Sequence, residues 1–404
     1  MKLPTTAAQG NDSIANPSNP RRICPDADFA ARPAHRFSRR RDPWTPDVRK
    51  AGKLLLEDTE LRKSSVLCAT GLMLLLIGLP QLTFADGPYK VSKVVKVGGE
   101  GTFDTAFADV EARRLYIPRK SPGRISVFNL DSLEPVGEIP DAAANGVVID
   151  PKSGHGFASS KPVTMFDAKT LKTIKTIDVQ GRPDTILFDP FNQHVFIFSH
   201  TAPNATVINA VDGEVLGTID LDGEPEQAVT DRNGRVYVDV RDKNDIAVID
   251  AKTLTVAARY SVATKGGRCS GLAIDVKNRI LFAGCRMPQT MVILNAADGK
   301  ILEALPIGST ADSAIFNPKT NEAYSAQIDG TLTIIKENSP TRFAIEQIVQ
   351  TKDSAKQMVW DSNTNRILLI AADFLPPTEA PRAGVAGYGG KMVPDSLSIL
   401  VVTK

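Results

Sequence analysis

From about residue 89 to residue 404 one unit of roughly forty residues is written over and over, and no other feature restricts the fold so tightly. It reads most clearly in Asp231 to Val262, DRNGRVYVDVRDKNDIAVIDAKTLTVAARYSV. The runs RVYVDV, DIAVID and TVAARYSV are rich in β-branched and aromatic residues, too short for helices, and bounded by Asp, Asn, Gly or Lys-Thr. EQAVTD, just upstream, supplies a fourth strand. A polar landmark opens the first hairpin turn of each unit: Asp109, Asp150, Asp189, Asp231, Asp275, Asn317 and Asp361, spaced 41, 39, 42, 44, 42 and 44. A second follows the third strand: Asn129, Asp167, Asn209, Asp250 and Asn295, spaced 38, 42, 41 and 45. Asp and Asn suit both places because their side chains accept hydrogen bonds from amides two residues on. Two agreeing registers predict an all-β array of four-stranded antiparallel units.

The third strands are RISVFNL, PVTMFDA, ATVINAV, DIAVIDA, TMVILNA, GTLTIIK and SLSILVV. No fourth strand follows the last. Tyr89 to Val97, YKVSKVVKV, has the fourth-strand pattern of KTIKTIDV and EVLGTIDL and stands before the first landmark. It is therefore expected to pair with Ser396 to Val402, closing a seven-bladed β-propeller and removing the edges an open array would expose.

Residues 1–63 carry thirteen Lys or Arg against eight Asp or Glu, many prolines and no apolar periodicity, which is the composition of a disordered extension. An uncharged apolar run from Val66 to Leu79 and the small residues near Leu82 to Ala85 follow, so 64–85 reads as a secretory signal. Its core is short for a membrane span. A signal belongs at an N-terminus, and the expected start therefore lies near Val48 to Leu61, with the propeller occupying 86–404. That part has a net charge of about −3, against +2 for the whole chain, so a basic nucleic-acid surface is not indicated. The expectation is a periplasmic or secreted monomer with no membrane span in its mature form.

Cys269 and Cys285 are the two cysteines left after the leader, and both lie eight residues from Lys277 in CSGLAIDVKNRILFAGC. They should face each other across the first two strands, where Cα atoms of a non-hydrogen-bonded pair come about 4.5 Å apart, close to disulfide range. Export would place them where such a bond persists.

With the four-strand period, the N-terminal closing strand and units of the form RVYV...IAVIDAKTLTV, residues 89–404 resemble the YVTN-repeat, YncE-like seven-bladed propellers exported by bacteria. The literal tetrapeptide is absent; LYIP, VFIF, VYVD and ILFA stand in its place. The resemblance implies an extracytoplasmic propeller and no single activity.

Little catalytic chemistry is written in the chain. His155, His194 and His200 do not pair at a metal-ligand spacing, and neither C-x-x-C-H nor G-x-S-x-G occurs. No cofactor or metal is called for. Asp361 to Asn365, DSNTN, looks calcium-like but falls on the turn landmark and reads as an ordinary turn; Trp360-Asp361 occurs once and is no WD repeat.

The informative residues hold one place in the repeat and vary in chemistry. Five before each landmark stand Asp104, Asn145, Asp184, Glu226, Ser270, Asp312 and Lys356, and seven before it Thr102, Ala143, Arg182, Glu224, Arg268, Thr310 and Ser354. The start of strand one shares a face with the loop from strand two to strand three, so the first set is expected as a mostly acidic ring at the channel mouth, with Arg182 and Arg268 beside it. Arg119-Lys120, His200, Arg241 with Lys243, and Arg286 make the outer loops basic in places. Asp373 to Asp395, DFLPPTEAPRAGVAGYGGKMVPD, is far longer than the other loops and would carry Arg382, Tyr388 and Lys391 over the channel. Two functions fit. One is a non-catalytic module binding a small ligand, a cell-envelope component or a protein on this face. The other is a lactonase-like hydrolase with Asp184, Glu226 or Asp312 as base and Arg182 or Arg268 holding an anion.

Overall fold

The landmark side chains set the turns as their spacing implies. Asp109 Oδ1 accepts from Ala112 N at 2.9 Å, Asp231 Oδ1 from Asn233 N and Arg235 N at 2.8 and 2.9 Å, and Asn317 Oδ1 from Lys319 N at 2.9 Å. In the second register Asn129 Oδ1 accepts from Asp131 N and Ser132 N, and Asp250 Oδ1 from Lys252 N and Thr253 N. Four residues after each second-register landmark the chain turns left-handed, at Leu133, Leu171, Gly213, Leu254 and Gly299. Leucine in that conformation costs about 1–2 kcal/mol. Leu133 recovers it by burial, being 2% exposed, since burying a leucine contributes about 1.5–3 kcal/mol.

The computed structural model describes residues 87–202, 204–376 and 390–404. Residues 1–86, with the expected extension and signal, lie outside the described residues. No helix among the described residues is long and apolar enough to cross a membrane. They form seven four-stranded antiparallel sheets arranged as the blades of a propeller. Blade 1 comprises Phe107–Asp109, Arg114–Arg119, Arg124–Asn129 and Pro135–Ile139, and the next five blades begin at Val147, Pro183, Pro225, Gly271 and Ala311. Blade 7 takes Gln357–Asp361, Arg366–Ala371 and Ser398–Thr403 from one end of the chain and Lys90–Lys96 from the other. The register runs from Lys90 opposite Thr403 to Lys96 opposite Ser398, with an irregularity between Val91 and Lys93. The closing strand is thus where the sequence puts it.

Apolar burial lies between blades. The second and third strands are buried while the outer fourth strands are largely exposed, and seven clusters each join two neighbours, 1 with 2 through to 7 with 1. At the seam Phe103, Leu115 and Ile117 of the blade 1 side meet Leu368, Ile370 and Ile399 of blade 7. Tyr89 anchors the closing strand to blade 6 instead: its hydroxyl donates to Glu322, and its backbone amide donates to Gln347 Oε1 at 3.0 Å. Lys404 Nζ reaches the same buried Glu322 at 2.8 Å. Burial would raise the Glu322 pKa, but Lys404 and Tyr89 bring it down to about 2.

Cys269 and Cys285 are disulfide-bonded. The hairpin register pairs Gly271 with Gly284 and Asp275 with Ile280, so the two cysteines are one step off direct opposition. The turn is one residue longer on the strand-two side than a centre at Lys277 implies, and Cys269 reaches its partner from just before strand one.

Candidate functional site

First strands line the channel, so a residue's place in the repeat is also its depth. Five before the landmarks, Asp104, Asp184, Glu226, Ser270, Asp312 and Lys356 line a cavity of about 250 Å³. Asn145 joins them by donating from Nδ2 to Asp184 Oδ1 at 2.8 Å. One step deeper the same cavity meets Thr105, Thr185, Gln227, Ser313 and Gln357, which are polar and uncharged. Two steps further, Phe107, Val148, Leu187 and Val229 line a separate, apolar cavity. Polarity therefore falls with depth from one mouth to the other.

The ring forms where the sequence places it, with a different character. Four of its seven positions are acidic, as expected, but none is exposed and the acids are matched by cations that lean in from strand two. Asp312 is held by Arg286 and Lys356 and accepts from Gln357 Nε2 at 2.8 Å. Burial pushes the Asp312 pKa up, but Lys356 and Arg286 outweigh it and leave it below the usual carboxylate range. Glu226, 7% exposed, pairs with Arg241, whose other arm holds Glu224 Oε2 at 2.6 Å. Arg241 and Arg286 were expected on outer loops. They come instead from the end of strand two, or one residue past it, and lean inward over the strand-one starts, because each finds a buried carboxylate there. An unpaired buried charge is far costlier than a paired one, so the cations follow the acids.

His200, in the loop between strands two and three of blade 3, is the second correction: it points into the ring. Its Nε2 stands 3.2 Å from Asp184 Oδ2 and 3.6 Å from Glu226 Oε1, and its Nδ1 lies 2.9 Å from Arg182 Nη2. Burial pulls the imidazole pKa down, but the two carboxylates push it to about 9. The Arg182 contact is a hydrogen bond only to an unprotonated Nδ1, so protonation exchanges it for stronger carboxylate pairing. Asp184, His200 and Glu226 offer ligand atoms within 4.8 Å of one another, the spacing of a metal site. Arg241 already occupies Glu226 Oε1, one of the oxygens a cation would need. The set fits a fixed ion-pair network better than a metal centre.

Asp104 accepts from Gln357 Nε2 at 3.0 Å. Burial, opposed by Lys356 and reinforced by Asp312, pushes its pKa to about 7. Arg182 is exposed and Arg268 half-buried, above the ring. Lys391 is exposed on the returning arm of the long loop, whose base is tied by Leu375 N to Lys391 O at 2.9 Å and Val393 N to Asp373 O at 2.8 Å. Arg382 and Tyr388 lie outside the described residues.

Sequence reasoning missed three residues. Gln227 spans two blades, accepting on Oε1 from Leu272 N and Ala314 N at 3.1 and 3.0 Å and donating from Nε2 to Ala314 O at 3.0 Å. Gln357 ties Asp104 to Asp312. Both follow directly on a ring position, a column whose polarity was there to be read. Asp239 is fully buried without a hydrogen-bond partner for either oxygen among the described residues, and burial, with Glu226 and Asp245, raises its pKa well above normal. No repeat pattern announces it, since its strand neighbours are valines.

No protein-family model matches the chain, and no curated protein matches it. Among solved structures it is similar to a chain of a mitotic checkpoint complex, at 12% identity and TM-score 0.60, over 79% of this chain and 95% of that one. It is also similar to a chain of the hydrazine synthase of Kuenenia stuttgartiensis, at 14% identity and TM-score 0.51, over 58% of this chain and 83% of that one. At such identities the likeness is one of fold.

Proposed function

We propose that this protein is an exported bacterial propeller of the YVTN-repeat, YncE-like kind that binds a ligand or partner on its charged channel mouth and catalyses no reaction. The observation that carries the reading is that Asp312 is already held by the buried Arg286 and Lys356, and Glu226 by the half-buried Arg241. Asp312, its pKa lowered, is a poor proton acceptor, and the paired groups form a rigid charged floor; binding sites gather on loops held by rigid scaffolds. Arg182, Arg268 and Lys391 supply the adjustable contacts above it. The Cys269–Cys285 bond agrees with an oxidising compartment.

Thermal-shift and calorimetric screening against peptidoglycan fragments, sugar lactones and nucleotides tests this. A ligand found there should bind about tenfold more weakly to Arg182→Ala, the loss of one charge-assisted hydrogen bond. Equal affinity for that variant and the wild type would remove the site from this face.

Asp104 favours a second reading. A carboxyl group held near pH 7 in a polar cavity is what a general base requires. Asp104, rather than Asp312 or Glu226, would then serve the lactonase-like reaction. Lactone turnover by the wild type that is lost in Asp104→Asn would establish it.

A further inference from the structure

The far end of the channel is built differently from the charged mouth. A cavity of about 890 Å³ opens there, and first strands or first turns of all seven blades contribute to its wall. That volume lies within the range of small-ligand sites. Phe107, Val148, Leu187, Val229, Phe316 and Trp360 make the wall apolar. The storey in which Gln227 ties blade 4 to blades 5 and 6 belongs to the charged mouth's cavity and not to this one.

The exposed charge at the rim is mostly basic. At the first and second positions after the seven landmarks stand Lys152, Arg232, Lys277 and Lys319, all exposed, against one acid, Glu111. The landmark carboxylates Asp150, Asp231 and Asp275 add negative charge behind them, but they are drawn back onto the amides of their own turns and none is exposed. Exposed Val276 and Phe191 stand among the cations. An apolar wall and a rim of exposed cations are complementary to a molecule with one apolar chain and one anionic head.

We propose that this mouth binds a free long-chain carboxylate, its alkyl chain in the channel and its head against Lys277 and Arg232. A closed ring of strands admits one chain end-on, whereas a bilayer lipid would have to leave its neighbours to enter. The site shares no lining residue with the charged mouth, so it stands whichever way that reading falls.

Calorimetry of the propeller with octanoate, decanoate and dodecanoate, all below their micellar concentrations, provides the test. The expected result is one site per chain, with Kd tightening by on the order of tenfold for each pair of methylenes. Lys277→Glu with Arg232→Glu should weaken dodecanoate at least tenfold and erase its advantage over dodecanol, with an unchanged melting temperature because both positions are exposed. Val229→Asp should abolish binding. Its own melting curve identifies a folding failure, and the rim variant decides the matter alone in that case. Equal binding of dodecanol, dodecyltrimethylammonium and dodecanoate, more than one site per chain, or insensitivity to the rim variant would overturn the proposal. So would co-sedimentation with phosphatidylglycerol vesicles in the absence of any dodecanoate binding.

Discussion

Arg113 grips Asp361 with both arms, Nη1 donating to Oδ1 at 2.8 Å and Nη2 to Oδ2 at 2.7 Å, across the seam between the first and last blades. Asp361 is fully buried and also accepts from Arg366 Nη2 at 3.1 Å and Thr364 Oγ1 at 2.6 Å. The calcium-like run DSNTN is thus a turn whose carboxylate is taken by two arginines.

Asp361→Ala should cost about 3–5 kcal/mol, the penalty for leaving a buried pair half made. Burial raises the Asp361 pKa, but Arg113 and Thr364 more than reverse this, leaving it well below the usual range. A depressed folded-state pKa gives stability that is present above the unfolded value, about 3.9, and lost as pH falls towards the folded one. Urea midpoints of the wild type should therefore fall more steeply below pH 4 than those of Asp361→Asn. Parallel acid limbs would contradict the assignment.

His200 has the opposite sign. Its raised pKa stabilises fully below about pH 6.5, and the stabilisation is lost as pH rises through about 9. The wild type should lose stability between these limits and His200→Gln should not. A ring-proton NMR titration centred near 6.5 would contradict the ion-pair geometry.

Asp312→Ala strands Arg286 and Lys356, both 6% exposed, and should destabilise by about 3–5 kcal/mol. The double variant Asp312→Ala with Lys356→Met should recover part of that loss. Denaturant titration of the set, read as a double-mutant cycle, measures it. Additive losses would mean that the two residues are not coupled.

Cys269→Ser should cost about 2–4 kcal/mol and leave Cys285 reactive only after unfolding, since it is fully buried. Thiol labelling of the unreduced, denatured wild type should find no free thiol among these two residues.

The scaffold was legible because repetition multiplies a weak local signal. One Asp before a turn says little, but Asp109 to Asp361 at near-constant spacing fix every first hairpin. Depth in the channel was legible for the same reason, and the ring at Asp104, Asp184, Glu226 and Asp312 assembles in register. Its electrostatics were not. Arg241, Arg286 and His200 sit near loops in the sequence, and only the inward lean of the strand-two ends brings them to buried carboxylates. Asp239 was invisible because an alternating strand gives no sign that one inward residue is charged.

The strand Lys90–Lys96 is synthesised before every other strand of the ring, and its partner Ser398–Thr403 after all of them. During synthesis, closure must therefore wait for the last strand. Until then the growing arc keeps an unpaired edge at each end, and the first strand waits without a sheet. Val95, which packs against the seam between the last and first blades, stays uncovered until its partner strand arrives. The lysines at 90, 93 and 96 keep that waiting segment soluble, as charge on an edge strand does in finished sheets.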